Sequence, residues 1–277
     1  MSDIFCHIGL RKTGTTFLQD RFFPALSGIK YLGKTEFQYP QFLMDIHYLD
    51  DYAFNKRLPA IKEEVAELIS MDANVLFSSE AFTNTGVINQ QMLRLKSIIE
   101  DINIIVTVRD PIDMLLSHYI LNIMERGHYL PLMETVELGR RTFDQVRKKT
   151  LYLPDFFIEE TIETLSALFG PNKIKIYRYE DIFSDPLNFI IDFTGFTSTS
   201  FDNLSVGIFK EKKNGSGSFG KVIAKRQQNF YEHVSNLVDK PNKLGNLKLK
   251  YYGQEFLTKS DRKFLEQYFS GKTLGYY

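Results

Sequence analysis

The chain has almost no cysteine, no net charge and no long apolar run, and each absence excludes a class of protein. Cys6 is the only cysteine among 277 residues, so no internal disulfide can form, as is typical of proteins from reducing compartments. Lys plus Arg and Asp plus Glu both number 34, so the formal net charge is zero and no overall field attracts nucleic acid. Any anion-binding site must therefore be local, built from a few placed residues.

Membrane spans and secretion signals are also excluded on sequence grounds. No stretch approaches the roughly 18 apolar residues of a membrane-spanning helix, and the apolar run Ile104–Val108 is flanked by Asp101 and Arg109. The N-terminal segment has neither the basic part nor the apolar part of a secretion signal. We therefore expect a cytoplasmic protein that has no membrane span and no nucleic-acid partner.

Short β-rich segments alternate with longer helical patterns along most of the chain. The predicted strands are residues 3–8, 28–32, 74–79, 103–108 and 173–177, and the predicted helices are residues 16–26, 58–69, 90–99, 113–124, 155–169, 188–193, 222–238 and 259–269. We expect the helix at 188–193 to stop at Gly195. The strand at 103–108 is apolar on both faces except for Thr107, which is typical of a central parallel strand. The alternation predicts an α/β fold with a central parallel sheet flanked by helices.

The chain contains enough apolar material for one substantial core, since 43% of its residues are hydrophobic. We expect a single domain over residues 1–277 that ends in C-terminal helices. Residues 197–219 differ from the rest because they are rich in Ser, Asn, Gly and Lys and show little periodicity. Long segments of this kind inside a compact domain are often functional, so we interpret residues 197–219 as a candidate lid.

The segment Gly9-Leu-Arg-Lys-Thr-Gly-Thr-Thr16 follows the first predicted strand and opens a helix. Backbone N–H groups at a helix start, together with the helix dipole, form a ready anion site. Gly9 and Gly14 permit close backbone approach, Lys12 adds charge, and Thr15 and Thr16 add hydroxyl donors. The nucleoside-triphosphatase pattern requires Lys after the second glycine, and this chain has Thr15 there, which disfavours an ATP or GTP loop. A plain glycine-rich turn is the alternative.

A second anion-binding element follows the central strand. Arg109 comes directly after the strand at 103–108, and Ser117 follows eight positions later on the next predicted helix. An arginine fork and a hydroxyl can converge on one phosphate. Ligands of open parallel sheets bind outside the carboxyl ends of the strands, where both Lys12 and Arg109 are expected. The alternative is an ion pair of Arg109 with Asp110 or Asp113.

These two segments resemble the phosphate-binding elements of the sulfotransferase family that uses 3′-phosphoadenosine-5′-phosphosulfate (PAPS), in particular its soluble bacterial members. The resemblance implies a P-loop-kinase-like sulfotransferase fold, with Lys12 on the sulfuryl group and bridging oxygen and Arg11 as a further candidate there. It assigns the 5′-phosphate to four loop residues, Thr13, Gly14, Thr15 and Thr16, and the 3′-phosphate to Arg109 and Ser117. The family's last phosphate element has its best candidates in Asn214, Gly215 and Ser216.

The resemblance implies an enzyme that transfers a sulfuryl group from PAPS to an acceptor hydroxyl, which we expect to belong to a carbohydrate or glycolipid. Lys12 would stabilise the leaving group of an in-line displacement. Glu80 is the candidate general base because it ends the predicted strand at 74–79; alternatively it pairs with Lys12 or caps a helix. His47 is the competing candidate for the base.

Other polar residues are interpreted as structural. His7 alternates with Cys6 on the first strand and is expected to be a core histidine, and Tyr179, Glu180 and Asp181 are expected to pack and cap. The histidines show no metal-ligand spacing, so we expect no metal site. Two other functions stay open: an atypical P-loop kinase, and a PAPS-binding module without catalytic activity.

Overall fold

The computed structural model describes residues 3–33, 40–69, 73–83, 88–127, 129–130, 132–137, 151–152, 156–201, 207–209, 219–237 and 257–270. Within these residues the strands are β1 Ile4–Gly9, β2 Leu26–Ser27, β3 Ile29–Leu32, β4 Asn74–Ser78, β5 Asn103–Val108, β6 Val136–Glu137, β7 Leu151–Tyr152, β8 Ile174–Arg178 and β9 Ser200–Phe201. The α-helices are α1 Thr15–Phe17, α2 Gln41–Tyr48, α3 Asp51–Ile69, α4 Ile88–Ile98, α5 Pro111–Arg126, α6 Leu132–Thr135, α7 Ile158–Phe169, α8 Tyr179–Ser184, α9 Pro186–Thr197, α10 Phe219–Leu237 and α11 Lys259–Ser270.

Five strands form one parallel sheet in the order β3-β4-β1-β5-β8. The predicted α/β fold with a central parallel sheet flanked by helices is confirmed. β1 lies at the centre, with β4 on one side and β5 on the other. Because all five strands run the same way, their carboxyl ends meet at one edge of the sheet, which is where ligands of such sheets bind.

The chain forms two compact units. The first contains residues 1–109 and 160–213, and therefore the whole five-stranded sheet; the second contains residues 110–159 and 214–277. In the second unit, α5 packs against α10 and α11. The Asn229 amide donates a hydrogen bond to the Ile123 carbonyl at 2.7 Å. The expectation of a single domain over residues 1–277 stays a prediction.

An aromatic core covers one face of the sheet in the first unit. The sheet contributes Phe5, Leu76, Ile105 and Tyr177, one from each of β1, β4, β5 and β8. Against them pack buried side chains from the segment after the first loop and from α9, namely Phe17, Leu18, Phe22, Phe23, Phe189, Ile190 and Phe193. This packing holds the segment that follows β1 against the sheet and so fixes where the first loop must turn.

Several predicted helices differ from the structure: α3 begins at Asp51 rather than at residue 58, and two others end differently. The predicted helix at 16–26 begins as α1, continues as π-helical turns over Leu18–Phe22 and ends in a 3₁₀ turn over Phe23–Ala25. Pro24 contributes to that end, because proline has no N–H to donate to a helical hydrogen bond. The prediction that the helix at 188–193 stops at Gly195 is wrong: α9 runs to Thr197 and ends at Ser198, which has a left-handed φ of 52°.

Candidate active site

The loop between β1 and α1 has a backbone shape suited to an anion. Lys12 and Gly14 both have positive φ, 64° and 81°, and Thr13 lies between them. Left-handed residues that alternate with ordinary ones turn successive N–H groups into a concave anion-binding nest. Gly14 is also the N-cap of α1, and its carbonyl accepts hydrogen bonds from the N–H groups of Phe17 and Leu18 at 2.9 and 3.2 Å. The loop therefore combines a nest with a helix start.

Each glycine of the loop stands where a side chain would not fit. A Cβ atom at Gly9 would overlap the Thr15 side chain, which is itself buried, with 3% of its surface exposed. A Cβ atom at Gly14 would come within 3.1 Å of the Tyr179 ring and 3.2 Å of the Phe183 ring, in addition to its left-handed φ. The packing therefore restricts both positions to glycine.

The side chains of the loop divide into buried and accessible groups. Thr13 is fully buried, and its hydroxyl donates to the Leu10 carbonyl at 2.6 Å and contacts the Thr107 hydroxyl at 2.9 Å. The Thr13 hydroxyl therefore points into the protein, whereas Thr16 is exposed and Lys12 is half-buried. Arg11 is half-buried as well.

Arg109 is held at the carboxyl edge by three contacts. Its Nη1 donates to the Lys12 carbonyl at 3.3 Å, and its guanidinium carbon lies 4.3 Å from the centre of the Tyr179 ring. Its Nε is 3.8 Å from Oε1 of Glu180, an ion pair at the long end of the range. Asp110, one alternative partner, instead caps α5 by accepting from the N–H groups at positions 112 and 113 at 2.9 and 3.0 Å.

Tyr179 and Glu180 are the residues of this site that the sequence interpretation missed as neighbours of Arg109. β5 pairs with β8 in a register that sets Val108 beside Arg178, so the residues that follow these two strands emerge together. The signal was present in principle, because strand ends of a parallel sheet share one edge. It could not be used without knowing that β8 is the neighbour of β5.

Glu80 emerges on the other side of β1. It is exposed and begins the 3₁₀ turn Glu80–Thr83, directly after Ser79, whose N–H donates to the His7 carbonyl at 3.1 Å. His47, on α2, contacts the Ser79 hydroxyl through Nε2 at 2.9 Å, and the Ala81 N–H donates to the same hydroxyl at 3.2 Å. Burial lowers the pKa of His47 to about 4, although a hydrogen bond with Gln91 opposes this shift. Both candidate bases therefore belong to one corner of the sheet edge.

Comparison with known proteins identifies the family to which this arrangement belongs. The model of the sulfotransferase domain matches residues 3–228, which include β1, the loop, Glu80 and Arg109. This chain belongs to the sulfotransferase family. The prediction that the chain is a PAPS-dependent sulfotransferase is confirmed by this family membership.

Three solved structures are similar to this chain, and the first of them agrees with it in fold. The sulfotransferase from Alicyclobacillus acidocaldarius is 17% identical, with a TM-score of 0.54 over 85% of this chain and 96% of that one. Mouse sulfotransferase SULT7A1, complexed with PAP, is 13% identical, with a TM-score of 0.44 over 99% of this chain and 84% of that one. The sulfotransferase domain from the curacin biosynthetic pathway is 16% identical, with a TM-score of 0.44 over 97% of both chains. No sequence among the curated proteins gives a significant match.

The remaining predicted site residues are Ser117 and three residues of the candidate lid. Ser117 is half-buried on α5 in the second unit. Asn214, Gly215 and Ser216 fall outside the described residues, as does much of the candidate lid at 197–219. The expected core character of His7 is confirmed, since the side chain is fully buried and burial lowers its pKa to about 3.

Two further properties of the described residues concern metals and membranes. Among them, no group of three or more His, Cys, Asp or Glu side chains is arranged to hold a metal ion. None of the helices in the described part of the chain is long and apolar enough to cross a membrane.

Proposed function

We propose that this sulfotransferase binds PAPS across the carboxyl ends of β4, β1 and β5 and transfers its sulfuryl group to a carbohydrate or glycolipid hydroxyl. One observation carries the proposal: three adjacent parallel strands end in Glu80, the Lys12 loop and Arg109, with the loop in the middle. A carboxylate, an anion-binding loop and an arginine in that order supply what an in-line transfer between two oxygens requires.

The donor would be held by the loop and by the Arg109 corner. Backbone N–H groups of residues 13–16 at the start of α1 suit the 5′-phosphate, with the exposed Thr16 hydroxyl in reach of it. Arg109 would bind the 3′-phosphate together with Ser117, and the Tyr179 ring beneath the guanidinium keeps its fork directed. Arg11 is proposed to contact the sulfuryl oxygens. Asn214, Gly215 and Ser216 are proposed as the last phosphate element of the family.

The chemistry at this edge needs one base and one cation. Glu80 takes the proton of the acceptor hydroxyl as its oxygen attacks sulfur, so a new S–O ester bond forms while the bond from sulfur to the bridging phosphate oxygen breaks. Lys12 stabilises the negative charge that develops on that bridging oxygen, and 3′,5′-ADP leaves. Because the sulfuryl group carries less charge than a terminal phosphoryl group, this route requires no metal.

The preference for 3′,5′-ADP tests the donor site. We predict that 3′,5′-ADP raises the melting temperature more than 5′-AMP or ATP, because only 3′,5′-ADP offers both phosphates in the expected places. Arg109→Ala should remove most of that difference and leave the fold intact. Lys62→Ala, on the exposed side of α3, removes one positive charge from the same unit and serves as the matched control. Equal stabilisation of the wild type by ATP and 3′,5′-ADP would refute the proposed donor.

Ligand stabilisation together with turnover assays separates the two other functions considered. An atypical P-loop kinase would be stabilised by ATP with magnesium and would turn over only with that metal. A PAPS-binding module without catalytic activity would bind 3′,5′-ADP but transfer no sulfuryl group to any acceptor. A panel of sugars, glycolipids, phenols and tyrosine peptides, with PAPS as donor, tests the carbohydrate assignment, which transfer to phenols alone would contradict.

A further inference from the structure

A chain of hydrogen-bonded polar side chains lies buried beneath the phosphate-binding loop. Its members are Gln19, Ser78, His7, Thr107 and Thr13, each at most 5% exposed, and we call them the buried polar chain. The Gln19 amide donates to the Ser78 hydroxyl at 2.9 Å, and that hydroxyl lies 2.7 Å from His7 Nδ1. His7 Nε2 is 3.2 Å from the Thr107 hydroxyl, which lies 2.9 Å from the Thr13 hydroxyl.

At the end nearest the loop, the hydrogen bonds of the buried polar chain can run in only one direction. The Thr13 hydroxyl donates its hydrogen to the Leu10 carbonyl at 2.6 Å, so towards Thr107 it must accept. The Thr107 hydrogen is then used on Thr13, and Thr107 must accept from His7 Nε2–H. A neutral His7 with its hydrogen on Nε2 leaves Nδ1 to accept from Ser78. Every hydroxyl and imidazole hydrogen in the buried polar chain then has an acceptor.

Burial supports the neutral form of the imidazole. Desolvation lowers the pKa of His7 to about 3, so the ring carries a single hydrogen at neutral pH. The Ser78 hydroxyl can then donate to Nδ1 while it accepts from the Gln19 amide. A single tautomer is therefore set from the loop end by Thr107 on β5, and the Ser78 hydroxyl on β4 is compatible with it.

The location of the buried polar chain indicates its purpose. It joins β4, β1 and β5 one layer above the apolar residues Phe5, Leu76 and Ile105, on the side of the carboxyl edge. Apolar side chains would fill the same volume without the cost of burying polar groups, and a fully satisfied polar network fixes one conformation instead. The conformation it fixes is that of Thr13, between the left-handed residues Lys12 and Gly14.

We propose that His7 is a positioning residue that holds the phosphate-binding loop in its nest conformation through Thr107 and Thr13. It touches neither substrate nor reacting atoms and acts through the hydroxyl of Thr13. This inference rests on the proposed function, because it assumes that the loop binds the 5′-phosphate of the nucleotide. It goes beyond the proposed function because it assigns the shape of the loop to His7, a residue of β1 that lies beneath the loop.

Isosteric substitutions at Thr107 test the link between His7 and the loop. Thr107→Val keeps the shape of the side chain but can neither accept from His7 nor donate to Thr13. We expect it to weaken the binding of 3′,5′-ADP, measured by calorimetry, about 10-fold or more, since small misplacements of binding groups have effects up to about 10²-fold. Thr107→Ser keeps the hydroxyl and should restore binding to within about 3-fold of wild type.

Ser78→Ala is the matched control, because it removes a buried hydroxyl and two hydrogen bonds from the other arm of the same chain. It should lower the melting temperature as Thr107→Val does, yet leave the affinity for 3′,5′-ADP within about 3-fold of wild type. Equal losses of affinity in the two variants would reduce the effect to general destabilisation of the core and overturn the proposal, as would unchanged affinity in Thr107→Val.

A second pair keeps the test decisive if Thr107→Val does not fold. Thr13→Val leaves the backbone N–H and the branched shape in place, while Thr13→Ser keeps the hydroxyl. The proposal requires weaker 3′,5′-ADP binding in the first and near wild-type binding in the second; equal binding in both would overturn it. Wild-type protein that fails to bind 3′,5′-ADP refutes the proposed function and this inference with it, whereas tight binding by every variant refutes this inference alone.

Discussion

At the scale of single residues, Lys12 combines the charge proposed for catalysis with an unfavourable backbone. A lysine with a φ of 64° carries a left-handed conformation that costs about 1–2 kcal/mol outside glycine. Glycine would adopt this φ without strain, and such strain persists mainly where a side chain is needed for function. The lysine is therefore better explained by its proposed catalytic charge than by the stability of the loop.

We predict that Lys12→Ala and Lys12→Gly differ in stability but not in activity. Both should lower turnover by orders of magnitude, because both remove the charge that stabilises the leaving group. Lys12→Gly should have a free energy of unfolding about 0.5–1 kcal/mol larger than that of Lys12→Ala. This difference is what remains after the relief of strain is set against the extra freedom of glycine in the unfolded chain. Turnover and urea titration of the two proteins check both parts. Near-normal turnover in either variant would show that Lys12 is not catalytic.

At the scale of elements, the turn Glu80–Thr83 depends on α2. His47 of α2 contacts the Ser79 hydroxyl, and the same hydroxyl accepts the Ala81 N–H, so the turn that begins at Glu80 is tied on both sides. This arrangement separates the two candidate bases. Glu80 is exposed at the edge of the sheet. His47 contacts the Ser79 hydroxyl and has a pKa lowered to about 4, so it is a weak base that helps to hold the turn in place.

We predict that Glu80→Gln loses turnover by at least about 10²-fold while it binds 3′,5′-ADP normally, because Gln keeps the shape but cannot take a proton. His47→Gln is the comparison and should lose less than about 10-fold, since an amide can still contact Ser79. Steady-state rates and calorimetric binding of 3′,5′-ADP measure both effects. A larger loss in His47→Gln than in Glu80→Gln would reverse the assignment, and a collapse of nucleotide binding in Glu80→Gln would make Glu80 structural.

The elements of this fold could be predicted from the sequence where the pattern is local. The apolar run of β5 indicated a central strand, and the rule for parallel sheets placed Lys12 and Arg109 at one edge. Contacts between strands could not be predicted, because they depend on strand order and register. The contact of the Thr13 hydroxyl with Thr107 on β5 is one that the sequence did not indicate. The partners of Arg109 were missed for the same reason.

At the scale of the whole molecule, stability should depend on pH through buried histidines of the first unit. Burial lowers the pKa of His7 to about 3 and that of His47 to about 4, from an ordinary value of 6.5. His7 contacts the neutral hydroxyls of Ser78 and Thr107, so no carboxylate in those contacts favours its protonation. Between the folded and the ordinary pKa, the unfolded chain binds protons that the folded chain does not.

We therefore predict that the free energy of unfolding falls as the pH is lowered from about 7 to about 5, with His7 alone accounting for about 2 kcal/mol of the fall. The stabilisation is complete above pH 6.5 and is lost as the pH falls towards the folded pKa, because protons then favour the unfolded chain. His7→Gln cannot titrate, so its deficit relative to wild type in urea unfolding should shrink by about 2 kcal/mol over the same range. Carboxylates titrate mainly below that range and affect both proteins alike, which leaves the difference specific to His7. A deficit that stays constant with pH would mean that His7 keeps an ordinary pKa in the folded protein.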